Sequence, residues 1–131
     1  MTRQIISTTK APRSALFSQG VRVGSTMYVS GTVGIDPDTG ELAGPSVQDQ
    51  TRQALHNCGS ILEEGGFTFE DIALVTVLLA HPADFTGMNE AYAAVFTHEP
   101  PARAVARLGP ELPGILVSIT MTAHRGESTS S

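Results

Sequence analysis

Pro100-Pro101-Ala102-Arg103-Ala104-Val105-Ala106-Arg107-Leu108-Gly109 is the stretch around which the rest of the chain is read. Two prolines and a glycine bound a short alternating segment. As a strand it sends Arg103, Val105 and Arg107 to one side and Ala104, Ala106 and Leu108 to the other. Two explanations fit an arginine that shares a face with a valine. One is an edge strand carrying a solvated cation. The other is a planar guanidinium held on a rigid strand to clamp a small carboxylate.

On the C-terminal side, Gly109-Pro110-Glu111-Leu112-Pro113-Gly114 reads as a loop and Ile115–His124 as the last strand. Its face of Ile115, Val117, Ile119, Met121 and Ala123 is apolar. The face of Leu116, Ser118, Thr120, Thr122 and His124 is mostly small and hydroxylic, as expected where a strand lines a polar cavity or an interface. On the N-terminal side, Pro82 is placed to open a helix whose inner stripe is Phe85, Met88, Tyr92, Val95 and Phe96. Before it, Ile72–Ala80 is apolar except for Thr76 and reads as a strand buried on both faces. An earlier helix opens at Ser46, with Asp49 three residues on. It carries Val47, Ala54, Leu55, Cys58, Ile61 and Leu62 at helical spacing and stops at Gly65-Gly66. Further back come the turn cluster Asp36–Gly40, a hairpin of Val21–Val23 and Thr26–Ser30 about Gly24-Ser25, a long loop over Thr8–Ser18, and a short strand at Ile5-Ile6. The order β, β-β, α, β, α, β-β predicts one α+β domain over residues 1–131. The expected domain is a mixed sheet with one face covered by two helices, and residues 126–131 are expected to form a flexible tail.

The composition bounds the function. The chain has 131 residues, a hydrophobic fraction of 40% and a net charge of −5, with only 8 Lys and Arg. A lean domain with an open sheet face is expected to bury that face against copies of itself. The acidic balance opposes nucleic acid as a partner, because phosphate binding needs clustered cations. No apolar run approaches the length of a membrane span, and no secretory leader pattern opens the chain, so a cytoplasmic protein is expected. The one cysteine, Cys58, falls on the apolar side of its helix and is expected to be a buried structural residue. His56, His81, His98 and His124 are scattered without metal-ligand spacing. No phosphate-cradle or nucleophile-elbow motif occurs. No metal and no cofactor are expected.

Pro101-Ala102-Arg103-Ala104, the Pro/Gly loop and the alternating final strand together resemble the YjgF/RidA family. Ser18-Gln19-Gly20-Val21, Val29-Ser30-Gly31, the Asp36–Gly40 turn, Gln53 with Asn57, and Met88-Asn89-Glu90-Ala91-Tyr92 match family positions in family order. The resemblance runs from about Ile5 to Ala123. It implies a chorismate mutase-like, YjgF-like fold, assembled as a homotrimer with sites in the clefts between subunits. The implied chemistry is hydrolysis of reactive 2-imino or enamino acids to 2-oxo acids and ammonia. Some members are instead described as endoribonucleases.

By the same resemblance, Arg103 holds the substrate carboxylate. Ser30 and Asn89 lie at the cleft, and Gly31 and Val105 lie close to the bound acid. Three positions depart from the pattern. Phe17 stands where many members have tyrosine, and Val105 where many have cysteine. Ser118 stands where the well-known deaminases carry the glutamate that places or activates water. A serine hydroxyl is a weak base without an activator, and Glu99 and Glu111 are the acids nearest the key strand. The loss permits a second reading, a non-catalytic trimer that binds small carboxylates. The expected site residues are therefore Arg103 and Ser118 for catalysis, with Phe17, Ser30, Gly31, Asn89 and Val105 for binding.

Overall fold

The computed structural model describes residues 2–126. The expected tail beyond Gly126 lies outside the described residues. Eight elements follow the expected order: β1 (Gln4–Ile6), β2 (Gly20–Val23), β3 (Thr26–Val33), α1 (Val47–Glu64), β4 (Ile72–Leu79), α2 (Phe85–Val95), β5 (Ala102–Arg107) and β6 (Val117–His124). They build one six-stranded sheet in the order β1-β2-β3-β6-β4-β5. All neighbours are antiparallel except β4 and β5, which run parallel and are joined through α2.

Local chemistry places these elements as their residues suggest. Gly24 turns the β2–β3 hairpin with a positive φ of 57°. Asp36 accepts the amide of Asp38 at 2.8 Å in the following turn. The Ser46 side chain accepts the amide of Asp49 at 3.1 Å and caps α1. Gly66, with φ 87°, takes the chain out of that helix.

Both helices pack on one face of the sheet. Ala54, Leu55, Cys58, Ile61 and Leu62 of α1 and Met88 of α2 close over Met27, Val75, Val77, Ile119 and Met121. Among the described residues no helix covers the opposite face, called the bare face below. Ile5, Tyr28 and Leu74 lie on it, with Tyr28 51% and Leu74 42% exposed.

Four details differ from the sequence expectation. β4 is buried on one face only: Val75, Val77 and Leu79 are inside, while Leu74, Thr76 and Leu78 look onto the bare face. Residues 82–84 form a single 3-10 turn, and α2 begins at Phe85. Phe85 is 44% exposed and is not part of the inner stripe; Ala91 takes that place. β3 continues through Ser30 and Gly31 to Val33, with its register against β6 shifting between Val29 and Thr32.

Buried side-chain amides tie the loops to this frame. Gln50 donates to the carbonyls of Gly44 (3.1 Å) and Gly114 (2.9 Å) and accepts the amide of Leu116 (2.9 Å). Asn57 donates to the carbonyls of Val33 and Ile35. Gln50→Leu leaves an amide and two carbonyls unpartnered and is expected to cost about 2–4 kcal/mol in urea unfolding; an unchanged midpoint would contradict this role.

Cys58 is fully buried, with its thiol directed at the Ile119 carbonyl. Burial pushes it up from 9.0 to about 12. The unfolded thiol loses its proton first, so stability present below about pH 9 is lost progressively as pH rises towards 12. The unfolding midpoint of the wild type is expected to fall more steeply across that window than that of Cys58→Ala. Parallel slopes would show that the thiol does not titrate in this way.

Candidate functional site

The expected site residues form two clusters on opposite faces of the sheet. The first is built on β5 and α2. Parallel pairing sets Arg103 beside Val75 and Val105 beside Val77, so both side chains share the helix-covered face. β5 is an edge strand that the helices do not fully cover, which leaves Arg103 exposed. Its Nη1 donates to Asn89 Oδ1 at 2.6 Å. Its guanidinium carbon lies 4.8 Å from the Tyr92 ring centroid and 5.9 Å from that of Phe85. Among the described residues it forms no ion pair. One amide and two aromatic faces therefore hold a guanidinium whose remaining N–H donors are free for an anion.

Tyr92 supports this arrangement from below. Its hydroxyl is buried without a hydrogen-bond partner among the described residues. Burial raises its pKa, opposed by the nearby charge of Arg103. The phenol thus stays neutral beside the cation.

The second cluster lies at the bare-face end of β3 and β6. Phe17, Ser30, Gly31 and Ser118 line one cavity of about 330 Å³, together with Arg13 and Leu112. Antiparallel pairing places Ser118 beside Val33 and Leu78, on the face opposite Arg103. Gly31 and Ser118 approach closely: a Cβ at residue 31 would stand 3.1 Å from Ser118 Oγ. The Ser30 hydroxyl donates to the Ser18 carbonyl, so it fastens the loop that carries Phe17. Phe17 itself is 52% exposed at the cavity mouth.

Glu111 lines a separate cavity with Arg107 and His81, and it is Leu112 that reaches the Ser118 cavity. Neither cavity lining includes Glu99. Among the described residues no group of three or more His, Cys, Asp or Glu could hold a metal ion, and no helix is long and apolar enough to cross a membrane.

Sequence reasoning gave Gln19 no role of its own. Its buried side chain accepts the Thr8 amide at 2.7 Å and donates to the carbonyls of Thr8, Ala11 and Pro12. Its own carbonyl accepts the Ser30 amide. This one amide shapes the 8–18 loop and registers it against the Ser30–Gly31 bulge. Gln19 stands in the Ser18-Gln19-Gly20-Val21 stretch that resembles the family, but neither that match nor its place before a strand specifies partners eight to eleven residues away.

The comparisons agree with this architecture. The family model described as Endoribonuclease L-PSP matches residues 8–125. The mouse 2-iminobutanoate/2-iminopropanoate deaminase is 42% identical over 95% of this chain and 93% of its own. A RutC family protein of Saccharolobus solfataricus is 36% identical over 94% and 98%. The crystal structure of RidA from an Antarctic Psychrobacter superposes with a TM-score of 0.87 at 34% identity, covering 93% of this chain and 99% of that one. E. coli TdcF, solved with bound serine, gives 0.86 at 32% identity over 94% and 99%. With a family model spanning most of its length and relatives alike in both sequence and fold, the chain belongs to the YjgF/RidA family, the Endoribonuclease L-PSP family of the matching model.

Proposed function

We propose that the protein hydrolyses small 2-imino and enamino acids to 2-oxo acids and ammonia, as a homotrimer whose clefts join the Arg103 cluster of one protomer to the Phe17–Ser118 cavity of another. The observation that carries this is Arg103, a guanidinium on a strand with no ion pair among the described residues, oriented by Asn89 and Tyr92. The two clusters face opposite ways within one chain, so a single site needs two chains. The bare sheet face, with Tyr28 and Leu74 exposed, supplies a surface for that association.

Arg103 takes the substrate carboxylate through two parallel N–H donors, which fixes both its position and its plane. Val105 lies beside the bound acid on the same strand face, and Gly31 brings backbone close to it from the other protomer. Phe17 closes the cavity mouth. Water adds to the imine carbon while the nitrogen takes up a proton. The resulting carbinolamine passes its hydroxyl proton to the nitrogen, the C=O bond forms, and the C–N bond breaks to release ammonia. Ser118 can accept from and donate to the attacking water but does not act as a strong base. Imines are reactive toward water, so orientation supplies most of the acceleration asked of the protein.

Ser118 also favours a second reading, a trimer that binds small 2-oxo acids without turning over their imines. One experiment separates the two. 2-Iminobutanoate is generated in the cuvette from threonine by a dehydratase, with wild type beside Arg103→Ala. The deaminase reading expects faster loss of the imine with wild type and a roughly 10²–10⁴-fold lower kcat/KM in the variant, the worth of two charge-assisted hydrogen bonds. Full activity in the variant would contradict the clamp. Saturable binding of 2-oxobutanoate without turnover would select the second reading.

A further inference from the structure

The Arg103 face of β5 carries a second cation that the reading above does not use. Arg103, Val105 and Arg107 pair with Val75, Val77 and Leu79, so all three side chains project to the same side of the edge strand. Four residues at about 3.3 Å each separate the two arginine Cα atoms by roughly 13 Å. Beside Arg107 lies a cavity of about 430 Å³ lined by Leu79, Pro82, Phe85, Val105, Ala106 and Arg107. Its side-chain lining is apolar except for Arg107. The ring of Phe85 forms one wall and stands under the Arg103 guanidinium.

Arg107 is exposed and forms no ion pair among the described residues. Glu111 shares the adjoining cavity with it but lies outside ion-pair distance. The strand therefore presents an apolar trough with Arg107 in its lining and the Arg103 guanidinium beyond its Phe85 wall, neither in an ion pair among the described residues. A three- or four-carbon monocarboxylic imine would engage Arg103 and leave the trough and Arg107 unused. A molecule with two carboxylates and a short apolar spacer would engage all three features.

The geometry points to an imino or enamino dicarboxylate as the preferred substrate class, with its 2-carboxylate on Arg103 and its distal carboxylate on Arg107. This rests on the deaminase reading and extends it. The reaction is the same hydrolysis: water adds at the imine carbon, ammonia leaves and a 2-oxo dicarboxylate remains. The competing explanation of Arg107 is a solvated charge that guards an exposed strand edge against pairing, and it demands no selectivity.

The test compares 2-iminoglutarate, made from glutamate by an amino-acid oxidase, with 2-iminobutanoate. Each is followed by competition with semicarbazide, using wild type and Arg107→Gln. Calorimetry with the stable products 2-oxoglutarate and 2-oxobutanoate runs beside it. The expected result is a higher kcat/KM for the dicarboxylate in wild type, and a dicarboxylate-to-monocarboxylate ratio about tenfold lower in Arg107→Gln, with the same change in the ratio of product affinities. Turnover of 2-iminobutanoate with a ratio indifferent to Arg107 overturns the inference and leaves the deaminase reading standing. Turnover of neither imine, with Arg107-dependent binding of 2-oxoglutarate, overturns the deaminase reading and keeps the dicarboxylate trough. Binding indifferent to Arg107 as well makes the residue an edge guard and ends the proposal.

Discussion

The placement of Val77 between Val105 on one side and Ile119 on the other decides the direction of every candidate side chain. Side chains alternate along a strand, so a slip of one residue in either pairing would reverse the faces. With this register, Arg103, Val105 and Arg107 share the face of the buried Val75, Val77 and Leu79. Ser118 shares the face of Thr76 and Leu78. The register is well specified because Val77 and Ile119 are fully buried under the helices. Moving them to the bare face would expose large apolar side chains at about 25 cal/mol per Å². Core packing thus orients groups that are not themselves in the core.

Rigidity around the two clusters comes from different sources. Arg103 rides on a strand and is braced by Asn89 and two rings. The Ser118 cavity is bounded by loops, which are ordinarily the softer part of a fold. Here Gln19 and Gln50 hold those loops through side-chain amides that substitute for missing backbone partners. Each is buried, and each bonds to segments that carry cavity residues. Ser30 contributes in the same way through Ser18. Its match to a cleft position thus has a physical account as a fastener of the Phe17 loop.

Much of this was legible in the sequence where the signal was local. The alternation of 102–107, the Ser46 cap, the Gly24-Ser25 turn and the periodicity of α1 are each decided within a few residues, and each formed as expected. The one-sided cover of β4 was not legible. Its apolar run suits a strand buried twice, and only the sheet's single helical layer leaves Leu74 and Leu78 on the bare side. Phe85 misled for a related reason. It keeps the helical spacing of Met88 and Tyr92, yet it stands beside the edge strand, where the layer ends. Asn89 came from the family resemblance, while its bond to Arg103 depends on how α2 crosses β5. The Gln50 clamp joins residues 64 and 66 positions apart, beyond the range of any local pattern. The separation of Arg103 from Ser118 by the sheet itself follows from pairing register, which composition and spacing do not encode.

The proposed division of the site between protomers of a trimer has a direct test in mixed oligomers. Arg103→Ala removes the guanidinium, and Gly31→Leu fills the cavity beside Ser118; each homotrimer is checked for mass and folding, then the two are unfolded and refolded together. If clefts are shared, about a quarter of the sites in an equal mixture combine an intact Arg103 from one protomer with an intact Gly31 from another. Imine hydrolysis then returns to about that fraction of the wild-type rate. Mixed trimers of the right mass with no recovered activity would contradict a shared cleft and return Arg103 and Ser118 to separate roles.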